Sequence, residues 1–285
     1  MAFVIYIFII LSTVTQSAST KMFNRQSSQS AIFNALKSLS AFVLFMLMSI
    51  PNFTFHYSTV IFGILYGLLM CLSMYSGYRA LCLGPMALTS MLVAFSVIIP
   101  LIYSLTFGNE TLKALQCMAF VFLLAAIILA NYDKLKVNSE KPKSYGLWLL
   151  FIALTFISNG ICSILQKEHQ LAYPGLYSRE FIMFAMLICS LIFTLTAIIK
   201  IPLKDVKSTR GKRFGIISGV TNALANFLTL ILAGMENASV LFPIISAGTI
   251  LGALLCGKFV FKEKLKPNHY LALAAGIIAV VFLKL

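Results

Sequence analysis

Apolar runs of roughly twenty residues, separated by short polar or basic segments, fill almost all of this 285-residue chain. About 20 predominantly apolar residues in a helix are enough to cross the hydrocarbon of a bilayer. The pattern predicts ten such helices, over 2–20, 31–50, 59–81, 86–106, 112–131, 145–166, 178–199, 214–234, 238–258 and 267–285. The first run, Ala2–Leu11 followed by Ser17-Ala18-Ser19, has features of a secretory signal. No Lys or Arg precedes it, however, and 147–166 repeats its pattern in mid-chain, so it reads as a first transmembrane helix. The expected fold is an all-α integral membrane protein.

The same five-helix pattern is written twice, in 1–131 and again in 145–285, with a polar linker, 132–144, between the copies. Residues 62–72 (FGILYGLLMCL) align with 214–224 (FGIISGVTNAL), sharing Phe, Gly, Ile, Gly and Leu. Asn109-Glu110-Thr111-Leu112-Lys113 recurs as Lys262-Glu263-Lys264-Leu265-Lys266, again between two apolar runs. Five crossings are an odd number, so the second copy should run through the membrane upside down. Inverted repeats of this kind let a carrier build one central site reachable from either side. Gly63-x-x-x-Gly67 and Gly215-x-x-x-Gly219 hold equivalent places in the two copies, where small residues one turn apart let helices approach closely. Pro100 and Pro243 lie inside spans and each removes a backbone donor, which predicts kinks.

Composition agrees with the pattern: 60% of residues are hydrophobic, 11% are charged, and the mean hydropathy is +0.95. A soluble domain has nowhere to hide so much apolar surface. A net charge of +14 would suggest nucleic acid in a soluble protein; here it reports topology, and no nucleic-acid partner is expected. Seventeen Lys and Arg fall on one set of alternate loops and four on the other, with Lys37 inside a span. The positive-inside rule then puts the rich side in the cytoplasm and both termini outside. The segment 200–213 is the most basic loop, a topology anchor that also suits anionic lipid. The six cysteines (Cys71, Cys82, Cys117, Cys162, Cys189 and Cys256) all lie in apolar spans without metal-ligand spacing and read as small packing residues.

Several spans carry polar stripes. Ser12, Gln16 and Ser19 share one face of the first; Thr155, Asn159, Ser163 and Gln166 share one face of the sixth; Ser218, Asn222, Asn226 and Thr229 share one face of the eighth. Gln16 and Asn159 correspond between the repeats. Amides are costly in hydrocarbon unless partnered, so these faces should turn toward each other or toward a wet cavity. Gln16, Asn159, Asn222 and Asn226 are therefore the leading substrate-binding candidates, with Tyr75 and Tyr78 as apolar walls. Ser96, Ser246 and Thr249 are smaller polar residues that suit the same passage. Phe95 is a further wall candidate.

Lys37 lies two turns into its span, and its repeat partner is Glu180. Two readings stand: a snorkelling lysine, or a gate in which Lys37 attracts an anion or pairs with Glu180. The acids all fall at span ends or in loops, which argues against proton coupling through a deeply buried carboxylate. No HExxH, Walker A, GxSxG or paired-Asp motif occurs. Neither catalytic residues nor a metal or cofactor is expected, and the chain does not read as an enzyme.

The Glu-x-Leu turns between the last two helices of each copy resemble those of the drug/metabolite transporter superfamily, in particular its EamA-type carriers. Tyr78-Arg79-Ala80-Leu81 through Pro85-Met86-Ala87-Leu88-Thr89-Ser90 is similar to that family's link between helices three and four, with Met235-Glu236-Asn237-Ala238-Ser239-Val240 as its second-half counterpart. Lys37 matches a position where members often have arginine. The resemblance implies ten helices in two inverted bundles, with spans one, three, four, six, eight and nine around a central cavity. It also implies movement of small organic solutes such as amino acids or amphiphilic compounds, often outward. Two features depart from it. Related small multidrug resistance proteins carry a glutamate in their first helix, where this chain has Ser12, Thr13 and Gln16. Family members are also described with cytoplasmic termini, opposite to the charge bias. The expectation is a secondary transporter of a small-molecule solute in a prokaryotic inner membrane, working as a monomer or homodimer. The rival is a non-transporting membrane protein, such as a lipid-modifying enzyme or a scaffold subunit.

Overall fold

A computed structural model describes residues 2–26, 29–84, 86–108, 110–111, 113–137, 144–202, 209–262 and 266–284. Asn109, Leu112, Glu263, Lys264 and Leu265 of the repeated turns lie outside the described residues, as do Pro85, 138–143 of the linker and 203–208 of the basic loop. All regular structure among the described residues is helical: α1 (Ala2–Gln26), α2 (Ser30–Ser49), α3 (Tyr57–Leu83), α4 (Met86–Ala94), α5 (Ile98–Thr106), α6 (Ala114–Val137), α7 (Tyr145–Ala172), α8 (Ser178–Lys200), α9 (Lys212–Ala233), α10 (Ala238–Phe259) and α11 (Pro267–Lys284). Short 3-10 turns cover Ile50–Asn52 and Phe95–Val97.

Among the described residues, nine helices are long and apolar enough to cross a membrane. In α1 the exposed side chains Phe3, Val4, Ile7, Phe8 and Leu11 form one continuous apolar face. Such a face is stable against lipid and a liability in water. This is the architecture of an integral membrane protein.

The expected fourth span is broken into α4 and α5 by the Phe95–Val97 turn. Pro100 supplies the reason: it lacks the N–H that would bond to Ser96 one turn earlier, and its ring crowds that carbonyl. Pro243, by contrast, lies within the unbroken helix α10. The expected linker is also shorter than its composition suggests, because α6 runs on to Val137.

The chain divides into two compact units, each drawing on both halves of the sequence. The first comprises Met1–Cys71 and Glu168–Gly234, the second Leu72–Lys167 and Met235–Leu285. Two of the three boundaries fall inside α3 and α7, so each unit holds part of both helices; the third lies between α9 and α10. In the first unit α2 packs on α8 and on α9, and α1 packs on α9. In the second, α6 packs on α11, and α10 packs on α5, α6 and α11.

The glycine pairs set two of the closest approaches in the first unit. A Cβ added at Gly63 would sit 2.9 Å from the Phe181 carbonyl oxygen, and one at Gly67 would sit 2.6 Å from that of Ala185, so α3 lies directly on α8. A Cβ at Gly219 would fall on the Lys37 carbonyl and Ser40 Oγ, which brings α9 onto α2. Ser40 Oγ also donates to the Ile216 carbonyl at 3.3 Å across that contact. Close packing thus accounts for both G-x-x-x-G pairs.

Candidate functional site

In the first unit, the polar faces of α1 and α9 meet. Asn222 Nδ2 donates to Gln16 Oε1 at 3.2 Å, and Asn226 Nδ2 donates to the Asn222 carbonyl at 2.9 Å. Tyr66 of α3 donates its hydroxyl to Asn226 Oδ1 at 2.7 Å. The result is a row of amides and one phenol about halfway along membrane-spanning helices. Its partnering is incomplete. Gln16 Nε2 and Asn222 Oδ1 have no partner among the described residues, and Gln16 is only half-buried. Ser218 Oγ, one turn before Asn222, is buried without a partner. Open donors and acceptors of this kind in an apolar surround are suited to a polar solute or water.

Tyr66 was not among the expected site residues, yet it is buried, only 4% exposed. It lies within the repeated FGILYGLLMCL segment, between Gly63 and Gly67, and its repeat equivalent is Ser218. That coincidence of a polar pair inside the strongest repeat was the signal available. Tyr75 and Tyr78, which were expected to line the site, are each 51% exposed and belong to the second unit. The Tyr75 ring meets Phe151 edge-on at 6.4 Å, and the Arg79 guanidinium lies 5.7 Å from the same ring.

Asn159 also belongs to the second unit, where its Oδ1 accepts a 2.6 Å hydrogen bond from Ser73 of α3. One turn away, Ser76 and Thr155 hydroxyls bond at 2.8 Å. The polar stripe of α7 therefore pairs with a serine stripe on α3. Ser96 sits in the 3-10 turn ahead of Pro100. Ser246 and Thr249, both half-buried, lie on α10. The structure joins Gln16, Asn222 and Asn226 in one unit; Asn159, Ser96, Ser246 and Thr249 belong to the other.

Lys37 and Glu180 are both buried, at 8% and 3% exposed, on α2 and α8 of the first unit. No ion pair or hydrogen bond joins them, so the expected charge pair is not formed. Glu180 instead lines a cavity of about 440 Å³ at the start of α8, together with Tyr177, Phe227 and Ile231.

Glu110 of the second unit caps a helix. Its carboxylate accepts from the Ala238 N–H at 2.9 Å, the Ser239 N–H at 3.0 Å and the Ser239 hydroxyl at 2.6 Å. These are the unsatisfied donors of the α10 N-terminus, where negative charge is favoured. Burial acts to raise its pKa, but the Ser239 and Ala238 bonds and the Lys167 ammonium outweigh burial and hold it below the ordinary value. Lys167 Nζ donates to the Glu236 carbonyl at 2.7 Å, and Lys284 pairs with the Glu236 carboxylate at 2.7 Å.

No protein-family model matches the chain, and no curated protein matches it in sequence. A solved structure, described only as the crystal structure of a protein, aligns with a TM-score of 0.81. The alignment covers 99% of this chain and 95% of that one, at 14% identity. At that identity the likeness is one of fold.

Proposed function

We propose that the chain is a secondary transporter of small organic metabolites, such as amino acids or amphiphilic compounds, working by alternating access around the intramembrane amides. The observation that carries this reading is the half-satisfied Gln16–Asn222 pair, which holds an open amide donor and an open amide acceptor in the middle of apolar helices. A purely structural amide pair in hydrocarbon gains by closing all its bonds. One that leaves accessible polar ends is arranged for an exchanging partner. Gln16, Asn222 and Asn226 hydrogen-bond the solute in this account.

The sequence resemblance to EamA-type carriers of the drug/metabolite transporter superfamily supports the same reading. So does the packing of α2 on α8 and of α6 on α11, since each pair is related by the sequence repeat and would meet across a two-fold axis. We therefore read the chain as two inverted five-helix repeats, 1–131 and 145–285, in a prokaryotic inner membrane, with both termini outside and export as the direction. Counterflow of labelled metabolites in proteoliposomes tests this. Replacing Asn159 and Asn222 with alanine should abolish most exchange while leaving membrane insertion intact. Unchanged uptake and efflux in that double variant contradicts the assignment.

A further inference from the structure

Two thiols of the first unit touch inside membrane-spanning helices. Cys71 of α3 and Cys189 of α8 are both buried, and their sulfurs lie 3.4 Å apart. Cys71 Sγ donates to Cys189 Sγ, which in turn donates to the Gly67 carbonyl at 3.5 Å. The other four cysteines are exposed or half-buried.

The backbone brings the pair together. Along the contact of α3 with α8, Gly63 faces Phe181 and Gly67 faces Ala185. Cys71 and Cys189 stand one turn further along each helix, in the same register. A Cβ at Gly67 would sit 3.2 Å from the Ala185 Cα, so the two backbones nearly touch there. A disulfide needs Cα atoms about 4.4–6.8 Å apart and sulfurs about 2.0 Å apart. From sulfur contact the bond closes by a movement of roughly 1.4 Å, which side-chain rotation supplies without parting the helices. Lys37 of α2, which packs on α8, is within electrostatic reach of Cys189. Redox-active thiols commonly have such a cation beside them. Both sulfurs belong to residues near the middle of their helices, so an oxidant must reach them through hydrocarbon.

We propose that Cys71 and Cys189 are a redox pair that closes to a disulfide, with a bilayer-dissolved quinone as the oxidant. Two S–H bonds break and one S–S bond forms. Two electrons and two protons pass to the quinone, which leaves as the hydroquinone. The bond ties α8 to α3 at the residue where the first unit ends on α3. The proposal goes beyond the carrier reading and does not rest on it.

Thiol counting in proteoliposomes tests it. The chain is reduced with a phosphine, freed of it, and exposed to duroquinone, whose ring is fully substituted and does not add thiols. Free thiols are blocked in SDS with N-ethylmaleimide, and thiols then released by reduction are labelled with a polyethylene-glycol maleimide. The quinone should mask two of the six thiols, and peptide mass spectrometry should find Cys71 joined to Cys189. In Cys71→Ala and in Cys189→Ala no thiol should be masked. A chain with Cys82, Cys117, Cys162 and Cys256 all replaced by alanine should still mask two. Masking that survives in either single variant, a different pairing, or six free thiols after quinone treatment overturns the site. Ferricyanide, which is confined to water, should leave the pair reduced; oxidation as fast as with the quinone overturns the bilayer-dissolved oxidant.

Discussion

Gly67→Ala tests whether the repeated glycines are packing residues. The added Cβ would lie 2.6 Å from the Ala185 carbonyl oxygen and 3.0 Å from Ile188 Cβ. Ordinary contact begins at 3.4 Å, so α3 and α8 must separate by the difference, 0.8 Å, because a helical carbonyl cannot swing aside. Overpacking of this kind costs about 1–3 kcal/mol. Alanine also gains about 1 kcal/mol over glycine in helix propensity. Gly146→Ala supplies the control, because a Cβ there meets nothing within 4 Å and the residue is also helical. Subtracting one variant from the other cancels the propensity gain. Gly67→Ala should therefore be less stable than Gly146→Ala by about 1–3 kcal/mol. Equilibrium unfolding in mixed micelles by SDS, followed by tryptophan fluorescence, gives the comparison. Equal stability of the two variants refutes the close approach of α3 to α8.

Two other substitutions probe the polar contacts. Tyr66→Phe removes the hydroxyl that bonds to Asn226 and should cost about 0.5–1.5 kcal/mol in the same unfolding assay; wild-type stability would mean that the bond contributes nothing. Glu110 has a folded pKa below the ordinary 4.5, so its contribution is fully present above that value and is lost as pH falls through the lower folded pKa. Wild-type stability should accordingly decline below about pH 4.5 more steeply than that of Glu110→Gln, measured by unfolding midpoint against pH; parallel curves contradict the capping role.

The spans were legible because bilayer thickness sets helix length regardless of neighbours, and the break near Pro100 was legible because proline removes a backbone donor, although the same reasoning applied to Pro243, where α10 runs on unbroken. Which face of each helix turns inward was much harder to read. Lipid is as apolar as a packed helix interface, so periodicity does not separate the two. The amide stripes escape this limit, since polar groups report their own burial cost. Asn222 and Gln16 meet as their stripes imply. Tyr66 was hidden among the apolar residues of α3, while Tyr75 and Tyr78 drew attention because a hydroxyl within a span needs a partner. The bonding of Ser73 to Asn159 could not be read either, since a lone serine in a helix satisfies itself on its own backbone as readily as on a neighbour. Nor was it legible that each compact unit is assembled from both halves of the chain. Glu110 was read as part of the recurring Glu-x-Leu turn and as an acid outside the spans; its capping role depends on a helix more than a hundred residues later.

Access to Asn222 from both sides of the membrane is the most direct measure of the carrier account. A cysteine-free chain bearing Asn222→Cys, reconstituted with known orientation, is exposed to a membrane-impermeant thiol reagent added to one face or the other. Alternating access predicts labelling from each face, with saturating solute slowing one rate or both. Labelling from neither face, or from one face only under every condition, contradicts it.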